Sequence, residues 1–483
     1  MAHSGETRFG PNRDVPLWLD GKEVTISTTF DVVSPNTGEV LYKSASASTT
    51  DAQAAVDSAQ RAFETWSQTK PSTRRDILLR AADGLLDRKE ELFQISHRET
   101  GIARSMFEFE FNAAVDSCKT VAGLIPAMRG FVPTLAEEGK SGMVLREPYG
   151  VVLSIAPWNA PYGLGFRACL GPLAMGNTVI LKGAEACPAT YWAISSVLHE
   201  AGLPQGCLNT LIHRLEDAAQ VTSHLISAWP IRKINFTGST RTGAIIASQA
   251  AKLSKPIVLE LGGKAPTIVC DDADLEDAAA QSAVGAFLHG GQICMSTERI
   301  IVHAAVAGRF KALLKATLSE NFSQQEGLVL INEQSVLKNR QLVRDAVSKG
   351  AEVVHGEPDH QGKLKTALHP VVIEKVNEKM DIYHTESFGP TVSLFTVESD
   401  DEAIRLANDT EYGLTSAVFT QNLQRGLRIA KRIQSGAVHI NSMSVHDESA
   451  LPHGGRKSSG FGRFNSIEGL EEWVQTKTIT WRD

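Results

Sequence analysis

Apolar residues recur at helical spacing in the first part of the chain and in short β-rich runs beyond it. Between Asp51 and Trp66, the residues Val56, Ala59, Phe63 and Trp66 share one helical face behind a polar start at Thr50 and Asp51. That spacing predicts an amphipathic helix. Residues 73–96 carry Ile77, Leu78, Ala81, Leu85 and Leu92 on one side and predict a second. A third is predicted over 99–121, although Phe107, Phe109 and Phe111 alternate there with Glu108 and Glu110. A period of two conflicts with a simple helix. Ahead of these helices, 17–26 predicts a short hairpin around Asp20-Gly21. Residues 1–15 are polar and predict no element.

From residue 148 strands alternate with helices. Strands are predicted at 151–156, 178–181, 208–212, 233–237 and 256–261. Helices are predicted up to residue 174 and at 189–201, 218–228 and 243–252. The alternation resumes with strands at 267–269, 299–302 and near 352–354, and helices at 275–288 and 306–318. The last third adds strands at 391–396, 415–419 and 437–440, with helices at 400–408 and 422–433. Such alternation implies parallel βαβ units. The fold class is α/β, with two parallel-sheet domains meeting at a seam near Gly262-Gly263.

Composition narrows the function classes. The 483 residues suffice for two or three domains. Hydrophobic residues make up 42% and charged residues 21%, as in an ordinary soluble globular chain. The net charge is −7 with acids and bases interleaved. No basic tract stands out, so nucleic acid is not an expected partner. The six cysteines (118, 169, 187, 207, 270 and 294) show no Cys-x-x-Cys pair and no His/Cys ligand spacing. Neither a disulfide framework nor a metal site is expected, and a reducing, cytoplasmic location fits. No signal-peptide core is evident at the start. The longest apolar run, 151–181, is interrupted by Pro157, Asn159, Pro161, Arg167, Pro172 and Asn177, so no membrane span is expected.

The candidate chemistry centres on Gly290-Gly291-Gln292-Ile293-Cys294. Paired glycines permit a tight turn and a close approach, which presents the following thiol. A free cysteine is equally at home as a small buried hydrophobe, and the pentapeptide alone leaves both readings open. Glu260, at a strand end before two glycines, can serve as a base for the thiol or for a water, or can be an ordinary strand-end carboxylate. Asn159, after Pro157-Trp158, can donate to a developing oxyanion or simply make a turn. The stretch from Phe236 through Thr237-Gly238-Ser239-Thr240 to Gly243 is a strand, a turn and a helix start. It suits a phosphate or a plain capped turn. Lys182 and Glu185 follow a strand where a dinucleotide fold commonly places its ribose partner, or form a surface pair. The glycine-rich 454–463 lacks the flanking elements of a phosphate loop and reads as structural, near the active site or a subunit contact.

Taken together, Pro157-Trp158-Asn159, Leu181-Lys182-Gly183-Ala184-Glu185, Phe236-Thr237-Gly238-Ser239-Thr240, Glu260-Leu261-Gly262-Gly263-Lys264, Gly291-Gln292-Ile293-Cys294, Glu386-Ser387-Phe388-Gly389-Pro390 and Pro452-His453-Gly454-Gly455 resemble the aldehyde dehydrogenase superfamily from about residue 20 to 481. The resemblance implies catalysis by Cys294 as nucleophile, Glu260 as base and Asn159 as oxyanion donor. It implies NAD as cofactor, held by Trp158, Lys182, Glu185, Gly238, Ser239, Glu386 and Phe388. It also implies the family's division: a dinucleotide-binding domain at 15–128 and 149–262, a catalytic domain at 263–450, and an oligomerisation arm at 129–148 and 468–483 that forms a homodimer or homotetramer.

Within the superfamily the chain looks most similar to salicylaldehyde and vanillin dehydrogenases, through Ile293-Cys294-Met295-Ser296-Thr297-Glu298-Arg299, Lys182-Gly183-Ala184-Glu185 and Val445-His446-Asp447-Glu448. The implied substrate is an aromatic aldehyde, with Arg167, Ile293 and Met295 in its pocket. Arg167 stands where many relatives carry a bulky aromatic, and either faces a phenolate or forms a core-edge salt bridge. Three further residues depart from the family pattern: Gly183 for a frequent proline, His453 for phenylalanine, and Phe464 for an acid. The alternatives are an aliphatic aldehyde or semialdehyde as substrate, a thiol hydrolase or acyl transferase using Cys294 without redox, and a non-catalytic binding protein on the same fold.

Overall fold

Strands that are apolar on both faces need cover on both faces, and this chain supplies it with helices. All five residues of the strand Val151–Ile155 are buried. The computed structural model describes residue 9 and residues 13–322, 327–360 and 362–482. Most of the polar stretch 1–15, and Asp483 at the end of the expected arm, lie outside them.

The first sheet has eight strands, in the order Lys22–Val24, Leu17–Leu19, Leu208–Leu211, Thr178–Lys182, Val151–Ile155, Ile231–Thr237, Ile257–Glu260, Gly460–Phe461. The five central strands are parallel, and in chain order they run 3-2-1-4-5. The strand order reverses between Val151–Ile155 and Ile231–Thr237, and ligands bind at the carboxyl ends of strands flanking such a point. The loops there carry Trp158, Asn159, Gly238 and Ser239. One edge is the N-terminal hairpin, whose turn residues Asp20 (φ 52°) and Gly21 (φ 71°) are both left-handed, as a two-residue hairpin turn requires.

The second sheet orders Glu352–His355, Val371–Glu374, Thr391–Val397, Thr297–His303, Ala265–Val269, Ala417–Phe419 and His439–Ile440. All its pairings are parallel except that of Glu352–His355. The chain leaves the first sheet at Glu260 and enters the second at Ala265. The glycine-rich 454–463 fastens this crossover. Its Ser459 Oγ donates to Gly262 O (2.6 Å), and Leu261 N donates to Ser459 O (3.0 Å). Lys140–Pro148 and Val474–Arg482 form a separate antiparallel ribbon, beside which Phe131, Val132, Ile479 and Trp481 are exposed.

The structure departs from the sequence reading in several places, among them an unpredicted antiparallel pair, Thr29–Val33 with Val40–Ala45. The helix expected over 73–96 is two, Pro71–Asp87 and Lys89–Thr100. Arg88 leaves the helical conformation between them and donates to Glu91, Ser196 and Glu200. The next helix begins at Arg104 rather than 99, because Gly101 (φ 72°) ends the preceding one. It is a regular helix despite the phenylalanine alternation. Phe107 and Phe111 lie four residues apart and are both buried, while Phe109 is half-buried. Glu333–Ser348 is a helix that the sequence reading did not predict.

At the crossover, a Cβ on Gly263 would stand 2.2 Å from the Cys294 carbonyl oxygen. Because the clash is with backbone, no rotamer change relieves it. Gly263→Ala is expected to lower the unfolding free energy in urea by about 1–3 kcal/mol. Gly308→Ala, in the helix Ala304–Asn321 with nothing within 4 Å, is expected to raise it by about 0.5–1 kcal/mol.

Candidate active site

Glu260 is delivered by a strand end and Cys294 by a glycine turn. Glu260 ends its strand and is buried. Cys294 follows three consecutive left-handed residues, His289 (φ 52°), Gly290 (φ 64°) and Gly291 (φ 72°). A Cβ on Gly291 would lie 2.3 Å from Gly389 O, so the turn needs glycine for space as well as for conformation. The buried Gln292 fixes the loop: its side chain donates to His289 O and Val329 O and accepts from Ile331 N. Asn159 Nδ2 donates to Gln292 O (3.0 Å), which ties the first sheet's loop to the cysteine loop.

Electrostatics sets the resting protonation. Burial alone would raise the Glu260 pKa, but the Arg167 guanidinium and His453 outweigh it and bring it down to about 2. Arg167, on the helix Pro161–Ala174, donates to Glu260 Oε2 (2.8 Å) and lies 3.6 Å from Asp447. Its guanidinium sits 4.4 Å from the centre of the Phe464 ring. The start of that helix is held by Glu110, whose Oε2 accepts from Tyr162 N and Gly163 N. Burial pushes Glu110 up to about 8, so it is mostly neutral at pH 7. Burial and then the Glu260 charge push the Cys294 thiol well above its ordinary range. The resting pair is therefore a thiol beside a carboxylate.

A cavity of about 260 Å³ opens onto Cys294 and Asn159. Its apolar wall includes Met106, Phe109, Leu164, Ile293 and Met295. Arg167 and Asp447 add charge to the lining. All three residues assigned to the pocket from the sequence, Arg167, Ile293 and Met295, line it. Arg167 also makes the core salt bridge that was the other reading of it.

The residues assigned to the cofactor lie around the carboxyl ends of the first sheet. Trp158 and Phe388 meet edge to face at 5.8 Å. Phe388 has φ 47°, a costly conformation for a phenylalanine. Backbone bonds offset it: Ser387 N and Phe388 N donate to Glu298, and Lys264 Nζ bridges Glu298 and Thr385 O. Glu386 accepts from Gly263 N (2.7 Å), and burial next to Glu298 raises it to about 7. A Cβ on Gly262 would meet that carboxylate at 2.6 Å. Ser239 is exposed and caps the helix Thr240–Lys252, its Oγ accepting from Thr242 N, and a helix start of this kind suits a phosphate. Lys182 ends its strand, where burial lowers its pKa and Glu185 opposes that change. A buried carboxylate with one donor, an edge-to-face aromatic pair and an open helix start fit a dinucleotide.

Sequence reasoning missed several of these residues. Asp447 lay in a quoted stretch, and His453 and Phe464 were noted only as departures. Gln292 and Glu298 likewise lay in quoted stretches without a role, and the buried Asn339, which bonds Ser387 O and Thr391 Oγ1, carried no local signal. Among the described residues there is no cluster suited to a metal ion, and no helix is long and apolar enough to cross a membrane.

Comparison with known proteins extends the geometry. The model of the aldehyde dehydrogenase family matches residues 18–479. The chain is 43% identical to the vanillin dehydrogenase of Pseudomonas sp. (strain HR199 / DSM 7063), over 96% of this chain and 97% of that protein. The crystal structure of a salicylaldehyde dehydrogenase from Pseudomonas putida G7 complexed with salicylaldehyde superposes with a TM-score of 0.93 at 36% identity, covering 97% of this chain and 98% of that one. The betaine aldehyde dehydrogenase from Staphylococcus aureus in complex with NAD+ gives 0.93 at 29% identity, covering 97% and 95%.

Arg167→Leu leaves Glu260 buried without its cation. The variant is expected to lose about 3–5 kcal/mol of unfolding free energy at pH 7, and Arg167→Leu/Glu260→Gln to recover part of that. In the parent, the Glu260 contribution is fully present above the ordinary carboxyl value of 4.5 and is lost as pH falls toward about 2. Urea titrations across that window check both.

Proposed function

This chain belongs to the aldehyde dehydrogenase family, and we propose that it oxidises an aromatic aldehyde of the salicylaldehyde, vanillin or benzaldehyde type to the carboxylate, through Cys294 and with NAD as cofactor. The observation that carries the reading is the thiol–carboxylate pair Cys294 and Glu260 beside an apolar cavity that Asn159 also borders.

The chemistry follows from the resting charges. Cys294 must lose a proton to attack, and Glu260 is the adjacent base. The negative charge that attack creates moves from sulfur to the carbonyl oxygen, where Asn159 Nδ2 and the Cys294 N–H donate to it. Losing one such donor costs about 2.7–4 kcal/mol of barrier. When bound, the nicotinamide supplies the hydride acceptor that turns the Cys294 thiohemiacetal into a thioester. Once the thiol proton has left Glu260 for solvent, Glu260 takes a proton from the water that attacks the thioester, and Cys294 Sγ leaves with its electron pair. A carboxylate held on Arg167 is a weak base, so Glu260 gains basicity as Oε2 moves off the guanidinium.

The pocket wall supports an aromatic substrate. Phe109 offers a ring, and Met106 and Met295 offer thioethers that lie well against ring edges. The similar proteins named for vanillin and salicylaldehyde agree with it. Glu185 supports NAD over NADP, because a carboxylate near the adenine ribose repels a 2′-phosphate. The exposed apolar side chains along the 140–148/474–482 ribbon support assembly into a homodimer or homotetramer. In the same reading, 15–128 with 149–262 binds the dinucleotide, 263–450 carries the cysteine, and 129–148 with 468–483 is the arm. A thiol nucleophile fits a reducing cytoplasm.

Initial rates of NAD reduction with salicylaldehyde, vanillin, benzaldehyde, hexanal and succinate semialdehyde test the proposal. The expected kcat/KM is highest for the aromatic aldehydes, and NAD is preferred to NADP. Preference for hexanal or the semialdehyde would overturn the substrate assignment. Equal use of NADP would overturn the cofactor preference.

A further inference from the structure

The Glu260 carboxylate has two oxygens in different surroundings. Oε2 is bonded to Arg167, and Oε1 has no hydrogen-bond partner among the described residues. His453 Nε2 lies 4.0 Å from Oε1 and likewise has no hydrogen-bond partner among the described residues. On its other side, His453 Nδ1 faces Asp447 Oδ1 at 3.6 Å. Asp447 is 20% exposed and lines the cavity, whereas His453 is 6% and Glu260 0%. The ring is oriented by its backbone: His453 and Phe464 exchange both N–H···O bonds, and Phe464 carries Arg167 on its face. Asn465 Nδ2 donates to Asp447 Oδ1 (2.7 Å) and fixes that carboxylate. The titratable and charged groups around the ring are Glu260, Asp447, Arg167 through both carboxylates, and His439 from the strand His439–Ile440.

We propose that His453 and Asp447 form a proton outlet for Glu260, leading from the buried base to the mouth of the substrate cavity. The inference rests on the reading of Glu260 as the base that deacylates the enzyme. As water attacks the thioester, its oxygen bonds to the acyl carbon, the carbon–sulfur bond breaks with its electron pair on Cys294 Sγ, and one water proton passes to Glu260 Oε1. His453 Nε2 takes that proton and Nδ1 gives its own to Asp447, which releases it to solvent. No electrons move in this relay, Glu260 returns to the carboxylate, and His453, left protonated on Nε2, regains its starting tautomer by proton exchange before the next turnover. Neither gap is a hydrogen bond at rest. Both are short enough for a small rotation of the Glu260 or Asp447 side chain to close. A phenylalanine at 453 would fill the same space and conduct nothing, which makes His453→Phe the informative variant.

The test compares parent, His453→Phe, His453→Asn and Asp447→Asn with salicylaldehyde and NAD, by stopped-flow and by steady-state rates across pH, with and without added imidazole. The outlet predicts that the first turnover of NADH formation survives in the His453 variants. Later turnovers should slow by about a hundredfold, the low end for a positioned proton-transfer group. Added imidazole should restore part of the loss, and Asp447→Asn should show a smaller loss of the same kind. A parent-like kcat and pH profile in both His453 variants would overturn the outlet. So would a loss of the first turnover that imidazole does not relieve, which marks a structural role. A parent with no turnover would overturn the reading of the site itself, and the outlet with it.

Discussion

Four residues separate the end of one sheet from the start of the other, and two of them are glycines with no space for a Cβ. Gly262 lies against the Glu386 carboxylate and Gly263 against the Cys294 carbonyl. That close approach brings the Glu260 carboxylate at the end of a first-sheet strand, the Cys294 thiol from the turn before the second-sheet strand Thr297–His303 and the Glu386 carboxylate from the 385–390 loop to one place. Ser459 holds the crossover from outside through Gly262 O and Leu261 N. The constraint is steric, and it acts on backbone, where neighbours cannot yield by changing rotamer.

Charge then decides what the assembled groups are at rest. An isolated buried carboxylate takes up a proton, because burial disfavours its charged form. Glu110 and Glu386, with only backbone donors, are both raised. Glu260 goes the other way because Arg167 is bonded to it and His453 stands close by. One pocket region thus holds a neutral carboxyl at Glu110 and an ionised carboxylate at Glu260, distinguished by the Arg167 guanidinium and the nearby His453. Lys264 and Glu298 act similarly on backbone: their buried pair holds the loop that keeps Phe388 in a left-handed conformation.

Much of this was legible in the sequence. The alternation of strands and helices gave two parallel sheets, and short motifs located Cys294, Glu260, Asn159 and the 386–388 loop. What was not legible depends on contacts distant in sequence. The helix Glu333–Ser348 is polar, with Val336, Asn339, Val343 and Ala346 as its buried stripe. Asn332 caps its start, Leu342 adds to the stripe, and Asn339 ties it to the 387–391 segment. The break at Arg88 comes from partners more than a hundred residues away. The phenylalanine alternation imitated a strand, yet Phe107 and Phe111 form a helical pair at 5.2 Å. Arg167, His453 and Phe464 were each visible as departures from the family pattern. That they touch one another around Glu260 is a fact of the fold alone.

The central claim is that Cys294 carries the acyl group between oxidation and hydrolysis. Rapid acid quench of the protein turning over salicylaldehyde with NAD, followed by peptide mass spectrometry, tests it directly. The account predicts a peptide containing Cys294 that is heavier by one salicyl group, absent without NAD and labile to hydroxylamine. NADH formation with no acyl group on any peptide, or with the acyl group on one of the buried cysteines 118, 169, 187, 207 or 270, would contradict it.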